Sequence, residues 1–206
     1  MRVLEEQGIP IILPKGQACI ALSNYQQRLG REPLDLKVGE FEPRPFRIRD
    51  IIVQPFVVPH DLNPTVGFRF MLERTGAKGP VISIATDFGQ ETNTAVSGFA
   101  GAKVMVVEAN YDEHLLEQSP RPLSQKLRIS GPNGHLSNLQ AANLIIRAMK
   151  KGGPPQTIML AHLSGDHNEP KLALQSVLDR LYMHCLRVPP VIVARRDRES
   201  DWIVVT

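Results

Sequence analysis

Three stretches of this 206-residue sequence run from apolar residues straight into a side chain that can bind a metal ion or move a proton. In TIMLAHLSGDHNEP (Thr157 to Pro170), Ile158, Met159, Leu160 and Ala161 lead into His162, and a polar loop with Ser164, Asp166, His167 and Asn168 follows. IIVQPFVVPHD delivers His60 and Asp61, and VISIATDFG delivers Asp87. A fourth stretch, GHLSN, sets His135 just ahead of a helix. Side chains at the ends of successive strands share one rim of an α/β sheet, a common way to mount chemistry on a rigid support.

Imidazole and carboxylate are the donors preferred by a borderline divalent ion such as zinc, and a carboxylate such as Asp87 can bridge two ions. His135 has a different neighbourhood. The first amides of the following helix, the helix dipole and the imidazole converge there, which suits a phosphate or carboxylate. Ser137 also fits plain N-capping of that helix, and the two roles are compatible. Each residue taken alone has an ordinary structural reading: a loop histidine for His60, a turn or cap for Asp87, a core histidine for His162. Their shared place at strand ends is what points to a site. His114, Asp112 and His167 read as surface or supporting groups, and His184 as helix packing.

Composition sets outer bounds. Hydrophobic residues make up 42% and charged residues 22%, as in a soluble globular protein of about one domain. No run approaches the roughly 18 apolar residues of a membrane span, and the N-terminus lacks a signal-peptide layout, so the expected location is cytoplasmic with no membrane partner. Cys19 and Cys185 lack metal-binding spacing and read as reduced core residues. A net charge of +3 permits a nucleic-acid or other polyanionic substrate without requiring one. Short basic clusters occur at Lys150-Lys151 and at Arg195-Arg196 with Arg198, a pattern common on solvated surfaces. Aromatic residues are only 5%, so no stacking platform for bases is evident.

The elements that must position these side chains follow from periodicity and punctuation. A helix tail is expected to Gly8, a strand over Ile9 to Leu13, a helix over Gln17 to Arg28, and a polar connection over 29–48 with a short strand near Phe46 to Ile48. Strands are expected over Asp50 to Val58, Gly67 to Glu73, Pro80 to Thr86 and Lys103 to Glu108, the middle two joined as a hairpin through Gly76 to Gly79. Helices are expected over Gln90 to Phe99, within Asn110 to Pro122, over Ser137 to Lys151, and from Pro170 to Leu186. Val191 to Ala194 and Trp202 to Val205 read as closing strands. The sum is a single layered α/β (α+β) domain over 1–206 with helices outside a mixed sheet. The GxSxG, GxxxxGK[ST] and GxGxxG signatures are absent, which argues against α/β-hydrolase, kinase and dehydrogenase chemistry.

Taken in order, Pro59-His60-Asp61, TD-x-G (Thr86 to Gly89), AN-x-D (Ala109 to Asp112), GH-x-SN (Gly134 to Asn138) and LAHLS-x-D-x-N (Leu160 to Asn168) resemble the metallo-β-lactamase superfamily. The nearest branch is that of the small bacterial WalJ-type hydrolases, regarded as phosphoesterases or DNA exonucleases, and the resemblance covers roughly residues 5–185. It implies a four-layer αββα sandwich with two divalent ions, zinc or manganese, at one edge of the sheets. By motif matching, His60 would hold the first ion, Asp87 would bridge, and His162 would hold the second. His135 would be catalytic, near a phosphodiester substrate, with Ser137 and Asn138 beside it.

The family's HxHxDH motif has no counterpart here, since the first histidine is His60. The fold is therefore expected to be an αββα sandwich truncated at its N-terminus, and each ion is left with two protein ligands, which predicts weak binding. Two readings stand: a metal-dependent phosphodiesterase or nuclease, and a non-catalytic scaffold or binding module completed by a partner or by homo-oligomerisation. A β-lactam-degrading role ranks below both, because no secretion signal accompanies it.

Overall fold

The computed structural model describes residues 11–17, 27, 38–61, 64–74, 77–185 and 187–205, and the chain divides into two compact units, Met1–Arg44 and Pro45–Thr206. The helices expected over 1–7 and 17–28, and Cys19, fall almost wholly outside the described residues. In the first unit, β1 (Ile11–Pro14) pairs in parallel with β2 (Val38–Phe41), a strand that the polar, proline-flanked sequence did not announce. The Gly16 amide donates to Glu40 Oε1 and Lys15 pairs with Glu42 beside it.

The second unit is built on a seven-stranded sheet in simple sequence order, from β3 (Phe46–Ile48) through β4 (Ile51–Val58), β5 (Thr65–Arg74), β6 (Ala77–Ala85), β7 (Val104–Glu108) and β8 (Thr157–Ala161) to β9 (Val191–Val193). The strands from β3 to β6 pair antiparallel, and those from β6 to β9 pair parallel. The hairpin is as expected, but pairing runs to Arg74↔Ala77, so Ala77, Lys78 and Gly79 belong to the strand rather than to the turn. Because β4 and β6 are both antiparallel to β5, they run the same way, and β4, β6, β7 and β8 all end at one edge of the sheet. His60, Asp87, Glu108 and His162 follow from or close these four strands.

The five helices described alongside this sheet are α1 (Asn93–Phe99), α2 (Glu113–Gln118), α3 (Leu123–Ser130), α4 (Asn138–Gly152) and α5 (Pro170–His184). Helix α1 starts at Asn93, three residues later than the apolar pattern suggested, and is capped by Thr92, whose side chain accepts from the Ala95 amide. The segment 110–122 holds only α2, capped by Asp112. The separate helix α3 has no buried residue and so left no apolar stripe to read. Ser137 and Gln140 form a full capping box on α4, and Pro170 occupies the first turn of α5. No strand forms over Trp202 to Val205: Trp202 is 99% exposed, and Gln156 donates to the Val204 carbonyl. No helix among the described residues is long and apolar enough to cross a membrane.

The core lies between the helices and one face of the sheet, where Phe56, Val58, Ala85, Met105, Val107, Ile158 and Leu160 meet Ala95 and Phe99 of α1, Ala141, Leu144, Ile145 and Ala148 of α4, and Val177 and Leu181 of α5. Cys185 is a free thiol, half-buried at the margin of this cluster. Phe56 packs edge-on against Phe99 with ring centroids 5.7 Å apart. The Phe56 ring is seated on glycine: a Cβ at Gly98 would lie 2.5 Å from it, and one at Gly67 equally close. On the same face Arg69 donates to the carbonyls of Ser97, Gly98 and Ala100, satisfying the open C-terminal end of α1. Gly98→Ala is expected to cost about 1–3 kcal/mol of stability by overpacking Phe56. Chemical denaturation checks it: the midpoint falls while the slope of the transition is retained.

Candidate metal centre

Asp87 sits at the centre of the site. It lies two residues past the end of β6, and its side chain is 43% exposed at the sheet edge. Its Oδ1 lies 3.9 Å from His60 Nε2, 3.7 Å from His162 Nε2 and 3.8 Å from His135 Nδ1. Asp87 and His162 both adopt left-handed backbone, with φ of 60° and 57°. This conformation is uncommon for residues with a side chain, and here it turns each side chain back over the strand end it leaves.

Glu108, which the sequence reading passed over, organises the imidazoles. It closes β7 fully buried, and its Oε1 accepts from His135 Nδ1 and from His162 Nδ1, both at 2.7 Å. Oε2 accepts from the Phe88 amide at 2.9 Å, which ties the Asp87 loop to the same carboxylate. Burial opposes the charge on Glu108, but these hydrogen bonds outweigh it and hold the carboxyl below its ordinary value. The same bond to Glu108 raises the pKa of His162 against its partial burial, with Asp87 adding to the rise and Arg196 opposing it. A carboxylate at the end of a strand after four apolar residues is the same signal that singled out Asp87 and His162.

The tautomers follow from these partners. His60 Nδ1 donates to the Gly134 carbonyl at 3.0 Å, so Nε2 carries the lone pair that faces Asp87. His162 Nδ1 is committed to Glu108, which likewise leaves Nε2 toward Asp87. His135 is turned the other way: its Nδ1, engaged by Glu108, is the atom near Asp87, and its Nε2 stays available. Asp87, Glu108, His135 and His162 together form a cluster of metal-ligating type, with one ligand atom of each within 4.8 Å of the others. Within it Glu108 Oε1 and His135 Nδ1 already bond one another, which leaves the Asp87 carboxylate and His162 Nε2 as donors, while His60 Nε2 faces Asp87 from outside the cluster. Two bonds of about 2.0–2.1 Å to a tetrahedral zinc ion set their ligand atoms about 3.3–3.4 Å apart, so the spacings of 3.7 and 3.9 Å would have to close by a few tenths of an ångström for either pair to share an ion.

The loops are fixed around Ala109 to Asp112. Ala109 N donates to Ala161 O, Asn110 N to Leu136 O, and Asp112 N to His167 O, while Asn110 Nδ2 reaches the His162 carbonyl at 2.8 Å. Asn168 Nδ2 donates to Ala109 O, and the buried Asn138 and Asn168 amides bond each other twice. Ser137 Oγ donates to Glu113 and accepts from the Gln140 amide. The Ser137 and Asn138 side chains are thus buried and engaged in holding the His135 loop. His167 is buried between Ser164 Oγ and the Arg121 guanidinium, and Asp61 takes two bonds from Arg128 at the rim. His114 and His184 are exposed and stand outside the cluster.

No protein-family model matches the chain. It is 30% identical over 132 residues to the exodeoxyribonuclease WalJ of Streptococcus pneumoniae, spanning 64% of this chain and 46% of that protein. It is 32% identical over 128 residues to the exodeoxyribonuclease YycJ of Bacillus anthracis, spanning 62% and 46%. Among solved structures, the metallo-β-lactamase fold protein YhfI from Bacillus subtilis superposes with a TM-score of 0.56 at 14% identity, over 90% of this chain and 62% of that one. The chain is similar in sequence to WalJ-type exodeoxyribonucleases and has the metallo-β-lactamase fold. Human tRNase Z, short form, shares the fold with a TM-score of 0.56 at 14% identity, over 95% of this chain and 68% of that one. Zn(2+)-bound PqqB from Methylobacterium extorquens does so with a TM-score of 0.57 at 14% identity, over 94% and 62%. The chain spans about half the length of the curated relatives it matches.

Two outcomes follow for the site. In the metal-free protein, the depressed Glu108 pKa contributes stability that is present above the ordinary glutamate value of about 4.3 and is lost as pH falls through the folded-state value. Denaturant unfolding across pH should therefore show the advantage of wild type over Glu108→Gln at neutral pH and its disappearance in acid. Separately, a Cβ at Gly134 would lie 2.2 Å from the Arg128 and Ile129 carbonyls. Gly134→Ala should displace the His60 acceptor and shift the His60 and His135 imidazole resonances in an NMR spectrum, whereas Gly39→Ala, in open space, should leave them unmoved.

Proposed function

We propose that this chain carries the catalytic edge of a metal-dependent phosphodiesterase of nuclease type, acting in the cytoplasm on a polynucleotide strand. The observation that carries the reading is the Glu108 carboxylate, which holds two imidazoles by Nδ1 while Asp87 faces the free nitrogens of His60 and His162. WalJ and YycJ are exodeoxyribonucleases by name, which favours a phosphodiester over a β-lactam.

In this reading His60, Asp87 and His162 would hold two divalent ions, zinc or manganese. A divalent ion in such a site supplies Lewis-acid polarisation of a phosphoryl oxygen and lowers the pKa of water toward neutrality. The chain's own residues do the rest. Glu108 keeps the His162 Nδ1–H donated inward, so its Nε2 remains a ligand. His135, with Nδ1–H anchored on the same oxygen, offers Nε2 to the substrate; carrying a proton there, it would pass that proton to the leaving oxygen and return to the neutral imidazole. Ser137 and Asn138 position His135 through the capped start of α4.

The test is the metal content of the purified chain, by elemental analysis, together with hydrolysis of bis(p-nitrophenyl) phosphate and of a single-stranded oligonucleotide. Bound metal and hydrolysis, both lost in His60→Ala/His162→Ala, are the expected result. His135→Ala should retain the metal and lose about 10²–10⁴ in rate, the usual scale of one acid–base group. A folded chain with neither metal nor hydrolysis overturns the enzymatic reading and leaves the scaffold.

A further inference from the structure

Three arginines stand near the rim of the site, and two are committed to carboxylates: Arg121 to Asp166 and Arg128 to Asp61. Arg196 differs. It follows β9, where the Ala194 amide donates to the Leu160 carbonyl, so the chain leaves the sheet at the edge where His162 sits. Its Nη2 donates to the carbonyl of Leu163, the residue after His162, at 3.0 Å. Its charge is felt at His162 through space. The guanidinium is exposed and lies across Gly165, where an added Cβ would be 2.7 Å from Nη1.

An arginine has five N–H donors, and the one contact described here engages Nη2. The anchoring carbonyl is neutral, so the positive charge is not cancelled by it. Gly165 supplies the space in which the planar group rests beside the metal-ligand loop. A planar, partly anchored guanidinium with donors facing solvent is suited to a phosphate oxygen pair. The neighbouring Arg195 and Arg198 extend the positive potential along the same exposed segment.

We infer that Arg196, resting on the Leu163 carbonyl over Gly165, is a phosphate-binding residue that holds a non-scissile phosphate of a polynucleotide strand next to the Asp87–His162 centre. The inference rests on the phosphodiesterase reading and deepens it, naming a backbone contact outside the metal ligands. Phosphate contacts of this kind position a strand without reading its bases.

The experiment is equilibrium binding of a short single-stranded oligonucleotide, with phosphorothioate linkages to resist cleavage, followed by fluorescence anisotropy at several salt concentrations. Arg196→Gln is expected to weaken binding about tenfold and to reduce the slope of log affinity against log salt by about 0.7, the share of one phosphate on a single strand. Gly165→Ala, which keeps the charge and displaces the guanidinium, should also weaken binding. Arg187→Gln, a charge change of the same size at the other end of β9, should not. Circular dichroism and thermal unfolding confirm that each variant is folded, as expected for an exposed side chain. Wild-type binding with an unchanged Arg196→Gln affinity and salt slope overturns the Arg196 assignment and leaves the hydrolase reading intact. Failure of the wild type itself to bind the oligonucleotide overturns both.

Discussion

A single carboxylate oxygen, Oε1 of Glu108, accepts hydrogen bonds from two imidazoles, and the site depends on that arrangement. A buried, unpaired carboxylate would be costly by several kcal/mol and would protonate instead. Here it is the acceptor for two ring N–H groups and, through Oε2, for the Phe88 amide, so its burial and its charge are compatible. One group thereby sets the ring orientation of a metal-ligand candidate, the orientation of the acid–base candidate and the start of the loop that carries Asp87. The order in which strands β6, β7 and β8 lie side by side makes this possible, because Glu108 ends the strand between those that deliver Asp87 and His162.

Around that carboxylate the loops are polar but fully committed. No buried side-chain nitrogen or oxygen among the described residues lacks a partner. Ala109 to Asp112 threads between the His135 and His162 loops and bonds both through backbone amides, with Asn138 and Asn168 closing the gap by a paired amide contact. The tight approach of Gly89 to the Gly131 carbonyl lets the Asp87 loop lie against the GPNGH turn. The left-handed backbones of Asp87 and His162 persist inside this framework. Strain at two chemical side chains, held by surrounding hydrogen bonds, is the expected mark of a preorganised site.

The donor count gives the site its particular character. His60, Asp87 and His162 supply three side chains for what the superfamily resemblance implies are two ions, and catalytic zinc sites commonly use three protein ligands for one. The histidines are nevertheless prepared as ligands, each with Nδ1 occupied by a backbone carbonyl or Glu108. Such outer contacts are built around metal ligands generally, and they cost nothing further when an ion arrives.

Much of this was legible in the amino-acid sequence. Apolar runs ending on His60, Asp87 and His162 gave the strands and their shared rim, since a buried strand is a continuous apolar stretch and its end is marked by the first polar residue. The capped start of α4 was written in Ser137 and Gln140, and the α5 start in Pro170, because both signals are local. What needed the fold was everything that depends on partners distant in sequence. Strand β2 exists by pairing with β1, and Trp202 to Val205 forms no strand although its residues favour one, so propensity decided neither. Helix α3 has no buried face and left no pattern. Glu108 looked like an ordinary strand end until the parallel pairing of β7 with β6 and β8 set it among His135, His162 and Phe88. Residue types fixed which groups could do chemistry, but hydrogen bonds across 27 and 54 residues decided which nitrogen of each imidazole faces the site.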